Sequence, residues 1–192
     1  TEILGNVHAA NVIHKDLNPS NIILNPETGA LQLIDFGISS LLSRENPVIA
    51  HPNVLEGTLA YISPEQTGRM NRSVDARSDL YSLGVVLYEL LYGRVPFESE
   101  DPLELIHAHI AQKPEFKDAV LPVPPILRAI VARLLAKNAE ARYQSAMGLA
   151  YDLEQCREQW QEKRKLKLFP LAQGDFSGFF QLPKKLYGRE RE

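Results

Sequence analysis

The sequence has a single cysteine, Cys156, in 192 residues, so no disulfide can form within the chain. Long apolar runs are also missing, since no stretch approaches the roughly 18 residues that a membrane-spanning helix needs. The N-terminus shows no basic region followed by an apolar stretch, as a secretion signal would. These absences predict a reducing, cytoplasmic location and no membrane segment in this chain.

Positive charge is scarce over most of the sequence. The formal net charge is -3, but residues 161–192 hold eight Lys/Arg against four Asp/Glu, which leaves -7 for residues 1–160. An acidic body argues against a nucleic-acid-binding domain and predicts no nucleic-acid partner. The basic cluster at residues 163–167 has two open interpretations, a contact patch or a solvated helix end, of which the second is the commoner.

The sequence contains enough apolar material for one core. With 44% hydrophobic and 23% charged residues, it is typical of one folded domain with a tail. Short β-rich runs at 22–24 and 31–34 are separated by Asn25-Pro26 and Gly29, which predicts a hairpin. Residues 36–64 show no clear periodicity and predict a long irregular loop, and such loops in compact domains are usually functional.

Helical patterns dominate elsewhere. The opening residues resemble the end of a helix, and the apolar segment 79–92, closed by Gly93, predicts a helix buried on nearly all sides. Further helices are predicted from Asp101-Pro102 to about residue 111, after Pro124-Pro125, and from Ser145 to about residue 160.

A polar cluster lies just before the predicted hairpin. His14, Lys15 and Asp16 are consecutive, and Asn21 follows five residues after the aspartate. Taken alone, this cluster fits a polar turn and a catalytic loop equally well. Further features follow in order: Asp35-Phe36-Gly37, Gly57-Thr58, "YISPE" at 61–65, Asp79 at the start of the apolar helix, and Arg142 in "NAEARY". This series resembles the C-terminal lobe of a protein kinase, with its His-Arg-Asp, Asp-Phe-Gly and Ala-Pro-Glu motifs.

The resemblance implies a mainly α, kinase-like fold, of the α+β kinase type but with the C-lobe only, in which a small β-hairpin bears the catalytic loop and the Asp-Phe-Gly motif. It also implies ATP and Mg²⁺ as cofactors and a Ser/Thr hydroxyl of a protein substrate as acceptor. Asp16 is then the catalytic base, and Asn21 and Asp35 bind the metal and the nucleotide. Ile23 would form the floor under adenine, although an ordinary buried strand residue is an equally good interpretation.

Residues 35–65 resemble the activation segment of a kinase. Thr58 occupies the position at which Ser/Thr kinases place a threonine against the catalytic aspartate. Structural roles are implied for the remaining matched residues: His14, Phe36 and Gly37 by packing, Glu65 and Arg142 as a buried ion pair, and Asp79 as acceptor of backbone N–H bonds from the catalytic loop.

Two residues depart from the family pattern. Lys15 replaces the usual arginine and cannot make a bidentate contact with a phosphorylated loop, which puts activation by loop phosphorylation in doubt. Asn18 replaces a lysine beside the substrate and removes one positive charge from the γ-phosphate. Because the metal ligands are retained, the sequence still predicts an active kinase rather than a pseudokinase.

Half of a nucleotide cleft is missing from the sequence. No Gly-rich loop, strand lysine or partner-helix glutamate precedes the catalytic loop, so we expect an exposed, partly apolar surface where an N-lobe would sit. The end of the chain, "DFSGFFQLPKKLYGRERE", resembles the linker of bacterial hybrid proteins in which a Ser/Thr kinase precedes a P-loop ATPase, GAF and histidine-kinase domains. Residues 1–160 are therefore predicted to be the C-lobe and 161–192 a linker, in a fragment that is inactive without its N-lobe.

Three functions remain open at the level of sequence. The leading hypothesis is a protein Ser/Thr kinase that acts in signal transduction. The second is a non-catalytic docking or regulatory module of a sensor histidine kinase, which the substitutions at Lys15 and Asn18 favour. The third is a non-functional remnant.

Overall fold

The computed structural model describes residues 1–41, 59–70, 72–117, 119 and 122–175. Its helices are α1 (Glu2–Ala9), α2 (Ala76–Tyr92), α3 (Pro102–Ala111), α4 (Pro125–Leu134) and α5 (Ala146–Lys163). Its strands are β1 (Val12–Ile13), β2 (Ile22–Leu24), β3 (Leu31–Leu33) and β4 (Ser40–Leu41). Short 3₁₀ turns lie at Pro19–Asn21, Leu59–Tyr61, Pro64–Thr67 and Ala139–Ala141. The predicted mainly helical fold with a small β-hairpin is confirmed.

The hairpin forms where turn residues separate the two β-rich runs. Strands β2 and β3 pair antiparallel, with Leu24 opposite Leu31. Asn25 closes the turn, because its side-chain oxygen accepts hydrogen bonds from the N–H groups of Glu27 and Thr28. A second small sheet pairs β1 with β4, so the chain on either side of the hairpin is also held together.

Helix α2 is the centre of the lobe. Asp75 caps its N-terminus by accepting a hydrogen bond from the Arg77 N–H, and Gly93 ends it with a φ of +72°. Ten of its seventeen residues are buried, and they include Leu80, which is fully inaccessible. The prediction of burial on nearly all sides fails at Leu90, whose side chain is 76% exposed.

The remaining helices begin as the sequence predicts. Asp101 caps α3, Pro124-Pro125 opens α4, and Ser145 caps α5 through a bond from the Gly148 N–H to its hydroxyl. Helix α4 packs on α2, and α5 packs on α1. The largest core cluster brings these four helices together through residues that include Leu4, Leu80, Ile130, Leu134 and Leu149.

The segment after α5 packs against this same core. Partly buried Leu166, Phe169, Leu171 and Ala172 lie on the largest cluster. The segment is also fastened by hydrogen bonds, since the buried Asp152 carboxylate accepts a bond from the Ala172 N–H at 2.8 Å. Residues 164–175 are therefore part of the packed lobe in this structure.

Several apolar side chains of the hairpin region are open to solvent. The side chains concerned are all more than a third exposed: Ile23, Leu24, Leu31, Ile34, Phe36 and Ile38. We call this set the hairpin face. The expectation that an N-lobe covers these side chains stays a prediction. Among the helices in the described part of the chain, none combines the length and apolar character that crossing a membrane requires.

Candidate active site

A single carboxylate near the start of α2 holds residues 14–21, the segment that resembles a kinase catalytic loop and is called the catalytic loop below. Asp79 is fully buried, and its Oδ2 accepts the His14 N–H at 2.9 Å while its Oδ1 accepts the Lys15 N–H at 2.8 Å. His8 of α1 adds a third contact, 2.8 Å from Oδ2. The loop backbone is thus held against the most buried helix, which gives the site a rigid support.

The carboxylate of Asp16 is oriented by two side-chain amides. Its Oδ1 accepts a bond from Asn18 Nδ2 at 2.9 Å, and its Oδ2 accepts one from Asn21 Nδ2 at 3.0 Å. Asn18 also caps the 3₁₀ turn Pro19–Asn21 by accepting the Ser20 N–H at 2.9 Å. From the sequence, the only predicted effect of Asn18 was the loss of a positive charge. In the structure Asn18 is a hydrogen-bond partner of Asp16.

His14 connects the catalytic loop to the Asp-Phe-Gly segment. Its Nε2 lies 3.0 Å from the Ile34 carbonyl oxygen, and its Nδ1 accepts the Asp16 N–H at 3.3 Å. The tautomer with the proton on Nε2 satisfies both contacts. The imidazole also packs against Phe36, with ring centroids 4.6 Å apart. His14 therefore both packs and bonds, and it links the two motifs directly.

Asn21 and Asp35 lie side by side at the open end of the hairpin. The backbone N–H of Ile34 donates to the Asn21 carbonyl oxygen at 3.0 Å, which brings Asp35 next to Asn21. The Asp35 side chain is exposed, and its Oδ1 accepts the Gly37 N–H at 3.1 Å. A Cβ at position 37 would lie 3.0 Å from that oxygen, which is a tight contact. Glycine at position 37 therefore leaves room for the Asp35 carboxylate.

The donor set of Asn21 and Asp35 fits a magnesium ion. Mg²⁺ prefers oxygen ligands and is usually held by one or two protein groups together with phosphate oxygens and water. Within the described ranges, no three His, Cys, Asp or Glu side chains are grouped as a metal site would require. At a site with two protein donors, the remaining magnesium ligands would be phosphate oxygens and water.

Ile23 lies in β2, two residues after Asn21. Its side chain is 47% exposed, so the interpretation of Ile23 as an ordinary buried strand residue is wrong. It pairs with Gln32 across the hairpin and belongs to the hairpin face. An exposed apolar side chain of this kind is available to cover one face of a flat ligand.

A buried ion pair fixes the turn Pro64–Thr67 to the helical part of the lobe. Arg142 and Glu65 are almost inaccessible and form two parallel hydrogen bonds, at 2.7 and 2.9 Å. Burial alone would raise the pKa of Glu65, but the hydrogen bonds and charge of Arg142 outweigh it and hold that pKa below its ordinary value. Ser78 of α2 adds a bond to Glu65 Oε1 at 2.7 Å. The turn that carries Glu65 is thereby fixed to α2.

Sequence reasoning missed Gln66, which follows this glutamate directly. Ser63 and Gln66 form a capping box on the turn Pro64–Thr67, and the Gln66 Nε2 donates to the Lys15 carbonyl oxygen at 2.7 Å. The Ser-x-x-Gln spacing that signals a capping box is visible at residues 63–66. The contact with the catalytic loop, 51 positions away, carries no such signal.

The structure brings most of the predicted site residues together. Asp16, Asn18 and Asn21 form one hydrogen-bonded group, and Asp35 adjoins Asn21. His14 and Phe36 lie behind this group, and Asp79 lies beneath it. Thr58, together with Gly57, lies outside the described residues.

Comparison with known proteins agrees with this arrangement. Residues 2–153 match the protein kinase domain family. A probable serine/threonine-protein kinase of Corynebacterium efficiens is 38% identical over 152 residues, which are 77% of this chain and 23% of that protein. The serine/threonine-protein kinase PknB of Mycobacterium tuberculosis is 37% identical over 155 residues, 76% of this chain and 23% of that protein. The chain thus spans about a quarter of the length of these curated relatives. It belongs to the protein kinase domain family.

Proposed function

We propose that this chain provides the catalytic lobe of a protein Ser/Thr kinase, which transfers the γ-phosphoryl group of ATP to a hydroxyl of a protein substrate. The observation that carries the proposal is the fixed carboxylate of Asp16, held by Asn18 and Asn21 on a loop anchored to Asp79. Phosphoryl transfer needs positioning and charge neutralisation above all, and this geometry supports the positioning.

In this proposal Asp16 acts as the general base. The acceptor oxygen forms a bond to the γ-phosphorus, the bond from that phosphorus to the β,γ-bridging oxygen breaks, and the hydroxyl proton passes to the Asp16 carboxylate. Each Asp16 oxygen already accepts one amide N–H, which fixes the plane of the carboxylate and leaves its remaining lone pairs for the hydroxyl.

Asn21 and Asp35 would hold magnesium on the phosphates in the same proposal. When bound, the ion neutralises the charge that the phosphates carry. The chain's own contribution is to place both oxygen donors on rigid backbone, because Asn21 leads into β2 and Asp35 follows β3. Ile23 would cover adenine, and Thr58 would contact Asp16 from the activation segment.

The partners of the lobe belong to the same proposal. The hairpin face is apolar and exposed, and an N-lobe of the same polypeptide would cover it and complete the nucleotide cleft. The linker-like sequence at 175–192 supports a cytoplasmic, multi-domain signalling protein of the hybrid kind, with ATPase, GAF and histidine-kinase domains. The sequence predicts the linker from residue 161, but residues 164–175 pack against the core, so in this proposal the lobe extends to about residue 175 and the linker follows. The isolated lobe would be inactive.

A phosphotransfer assay on the full-length protein tests the proposal. Asp16→Asn should lower incorporation of phosphate into a Ser/Thr substrate at least about 100-fold, because it removes the base but keeps the side-chain shape. Asp101→Asn is the matched control, since asparagine caps a helix as well as aspartate and position 101 lies at the start of α3.

Equal incorporation by the wild-type protein and Asp16→Asn would contradict the kinase proposal. That result would favour the docking module, for which Asp16 has no chemical role. The contacts of Asn18 count against that alternative, because a residue that seemed to weaken catalysis orients the proposed base instead.

A further inference from the structure

The side-chain amide of Gln66 joins the turn Pro64–Thr67 to the catalytic loop. Its Nε2 donates to the Lys15 carbonyl oxygen at 2.7 Å, and its Oε1 accepts bonds from the Ser63 N–H at 3.2 Å and the Ser63 hydroxyl at 2.8 Å. A carbonyl oxygen can only accept a hydrogen bond and a backbone N–H can only donate one. The partners therefore fix the orientation of the Gln66 amide, with Nε2 toward Lys15 and Oε1 toward Ser63.

Lys15 is consequently held from both sides. Its N–H donates to Asp79 Oδ1, and its carbonyl oxygen accepts from Gln66. Between these two bonds the residue adopts a φ of +69°, in the left-handed region that residues other than glycine rarely adopt. The next residue is Asp16, so the direction of its side chain depends on the conformation that the two bonds maintain.

We propose that Gln66 is a positioning residue for phosphoryl transfer. It maintains the Lys15 conformation and so directs the Asp16 carboxylate toward the acceptor hydroxyl. Gln66, Lys15 and Asp16 also line one small pocket together with Tyr61 and Ile62 from the end of the activation segment. The inference rests on the proposed kinase function, because it assigns Gln66 a part in the use of Asp16.

The alternative is that Gln66 serves only the capping box. Substitution by glutamate separates the two roles, because Glu caps as well as Gln at this position but has no N–H to donate. In Gln66→Glu the bonds from Ser63 can remain, while a carboxylate oxygen faces the Lys15 carbonyl and repels it. A purely structural role therefore predicts little change, and a positioning role predicts a slower reaction.

The test measures kcat and KM in the full-length protein. For Gln66→Glu we expect kcat to fall about tenfold or more, with KM for ATP within about twofold of wild type. Thr67→Val is the matched control, since Thr67 donates to the Pro64 carbonyl within the same turn, at 2.6 Å, and this bond does not reach the catalytic loop. It should lower stability with little effect on kcat.

Two results would overturn the inference. One is a kcat of Gln66→Glu equal to that of wild type, and the other is an equal loss of kcat in Thr67→Val. If wild type shows no more transfer than Asp16→Asn, the kinase proposal has failed instead. Hydrogen–deuterium exchange of residues 13–18 then decides the positioning role, which requires faster exchange in Gln66→Glu than in Thr67→Val and fails without it.

Discussion

Lys15 and Asp35 both adopt left-handed backbone conformations, with φ of 69° and 60°. Such conformations cost on the order of 1 kcal/mol for residues other than glycine and persist only where neighbouring contacts hold them. The contacts at Lys15 come from Asp79 and Gln66, and both Lys15 and Asp35 belong to the proposed site. Asn11, Arg164 and Ala172 share the conformation elsewhere in the described chain. The sequence alone could not show this, because neither lysine nor aspartate in a row of letters indicates a positive φ.

Asn18 shows a second limit of sequence reasoning at this scale. A family pattern compares residue types at matching positions, so a missing lysine is recorded as a missing charge. The side chain that replaces it contacts Asp16 and caps the following turn, and these contacts depend on the fold. A substitution away from a family pattern therefore has to be judged by its neighbours.

Loss of the buried ion pair should destabilise the lobe strongly. Arg142→Met leaves the Glu65 carboxylate buried without its guanidinium partner, which costs roughly 3 to 5 kcal/mol in the free energy of unfolding. Arg72→Met is the control, because the Arg72–Glu140 pair is exposed and such pairs contribute about 0 to 1 kcal/mol. Urea denaturation of the two variants measures the difference, and equal losses would contradict the prediction.

The same pair predicts a pH dependence. In the folded lobe the pKa of Glu65 lies below its ordinary value of 4.5, so its contribution is fully present above pH 4.5. As the pH falls below 4.5 toward the folded-state pKa, the contribution of Glu65 to the free energy of unfolding is lost and stability declines. Thermal denaturation between pH 3 and 7 should show this decline in wild type and a weaker one in Arg142→Met. Parallel curves would contradict it.

At the scale of elements, the sequence predicted most of the fold because its signals are local. Asp101, Ser145 and the prolines at 124 and 125 mark helix starts, and Asn25 and Gly29 mark the hairpin turn. The packed segment 164–175 gives no such signal, because it has no periodicity and its polar bonds run to α5 and to the residues before it. Long-range contacts of this kind are invisible to pattern reasoning.

Residues 164–175 are fastened to the lobe beside Gly148. The Asp175 carboxylate accepts bonds from the Gln144 N–H at 2.5 Å and the Ser145 hydroxyl at 2.8 Å, beside the first turn of α5. A Cβ at position 148 would lie 2.3 Å from an Asp175 oxygen, which is an impossible contact. The carboxylate can therefore occupy this position only because residue 148 is a glycine.

Gly148→Ala should therefore release the segment. We expect a loss of about 1 to 3 kcal/mol from the displaced carboxylate, partly offset by the better helix propensity of alanine. Faster tryptic cleavage at Lys165 and Lys167 should accompany the loss. Gly5→Ala in α1 is the control, because its Cβ would meet Met147 at an ordinary 3.5 Å. Unchanged cleavage in Gly148→Ala would contradict the prediction.

At the scale of the whole molecule, six of the twelve exposed large apolar side chains in the described residues belong to the hairpin face. Leu24 and Leu31 form a cross-strand pair and are about half exposed, and β2 and β3 form a sheet of only two strands. Apolar patches next to open strand edges favour association between molecules. Purified as the 192-residue chain, the lobe should therefore associate as its concentration rises.

A charge on that surface should reduce the association. Leu24→Lys places an ammonium group in the hairpin face, whereas Leu90→Lys makes the same chemical change on α2, at a side chain that is 76% exposed. Sedimentation velocity should show a shift toward monomer for Leu24→Lys and little shift for Leu90→Lys. An equal shift in both variants would mean that net charge, rather than the hairpin face, controls association.

The dependence of the catalytic loop on Asp79 also bears on the order in which the protein is made. The loop backbone bonds to a residue 64 or 65 positions later, and Gln66 reaches it from 51 positions away. A ribosome releases Asp16 long before α2, so the nascent loop has no partner to hold its left-handed residue. These bonds can form only after the chain has closed over this distance, so we expect the site to order late in folding. A chain that ends before α2 would thus lack the Asp79 contacts that hold the proposed site.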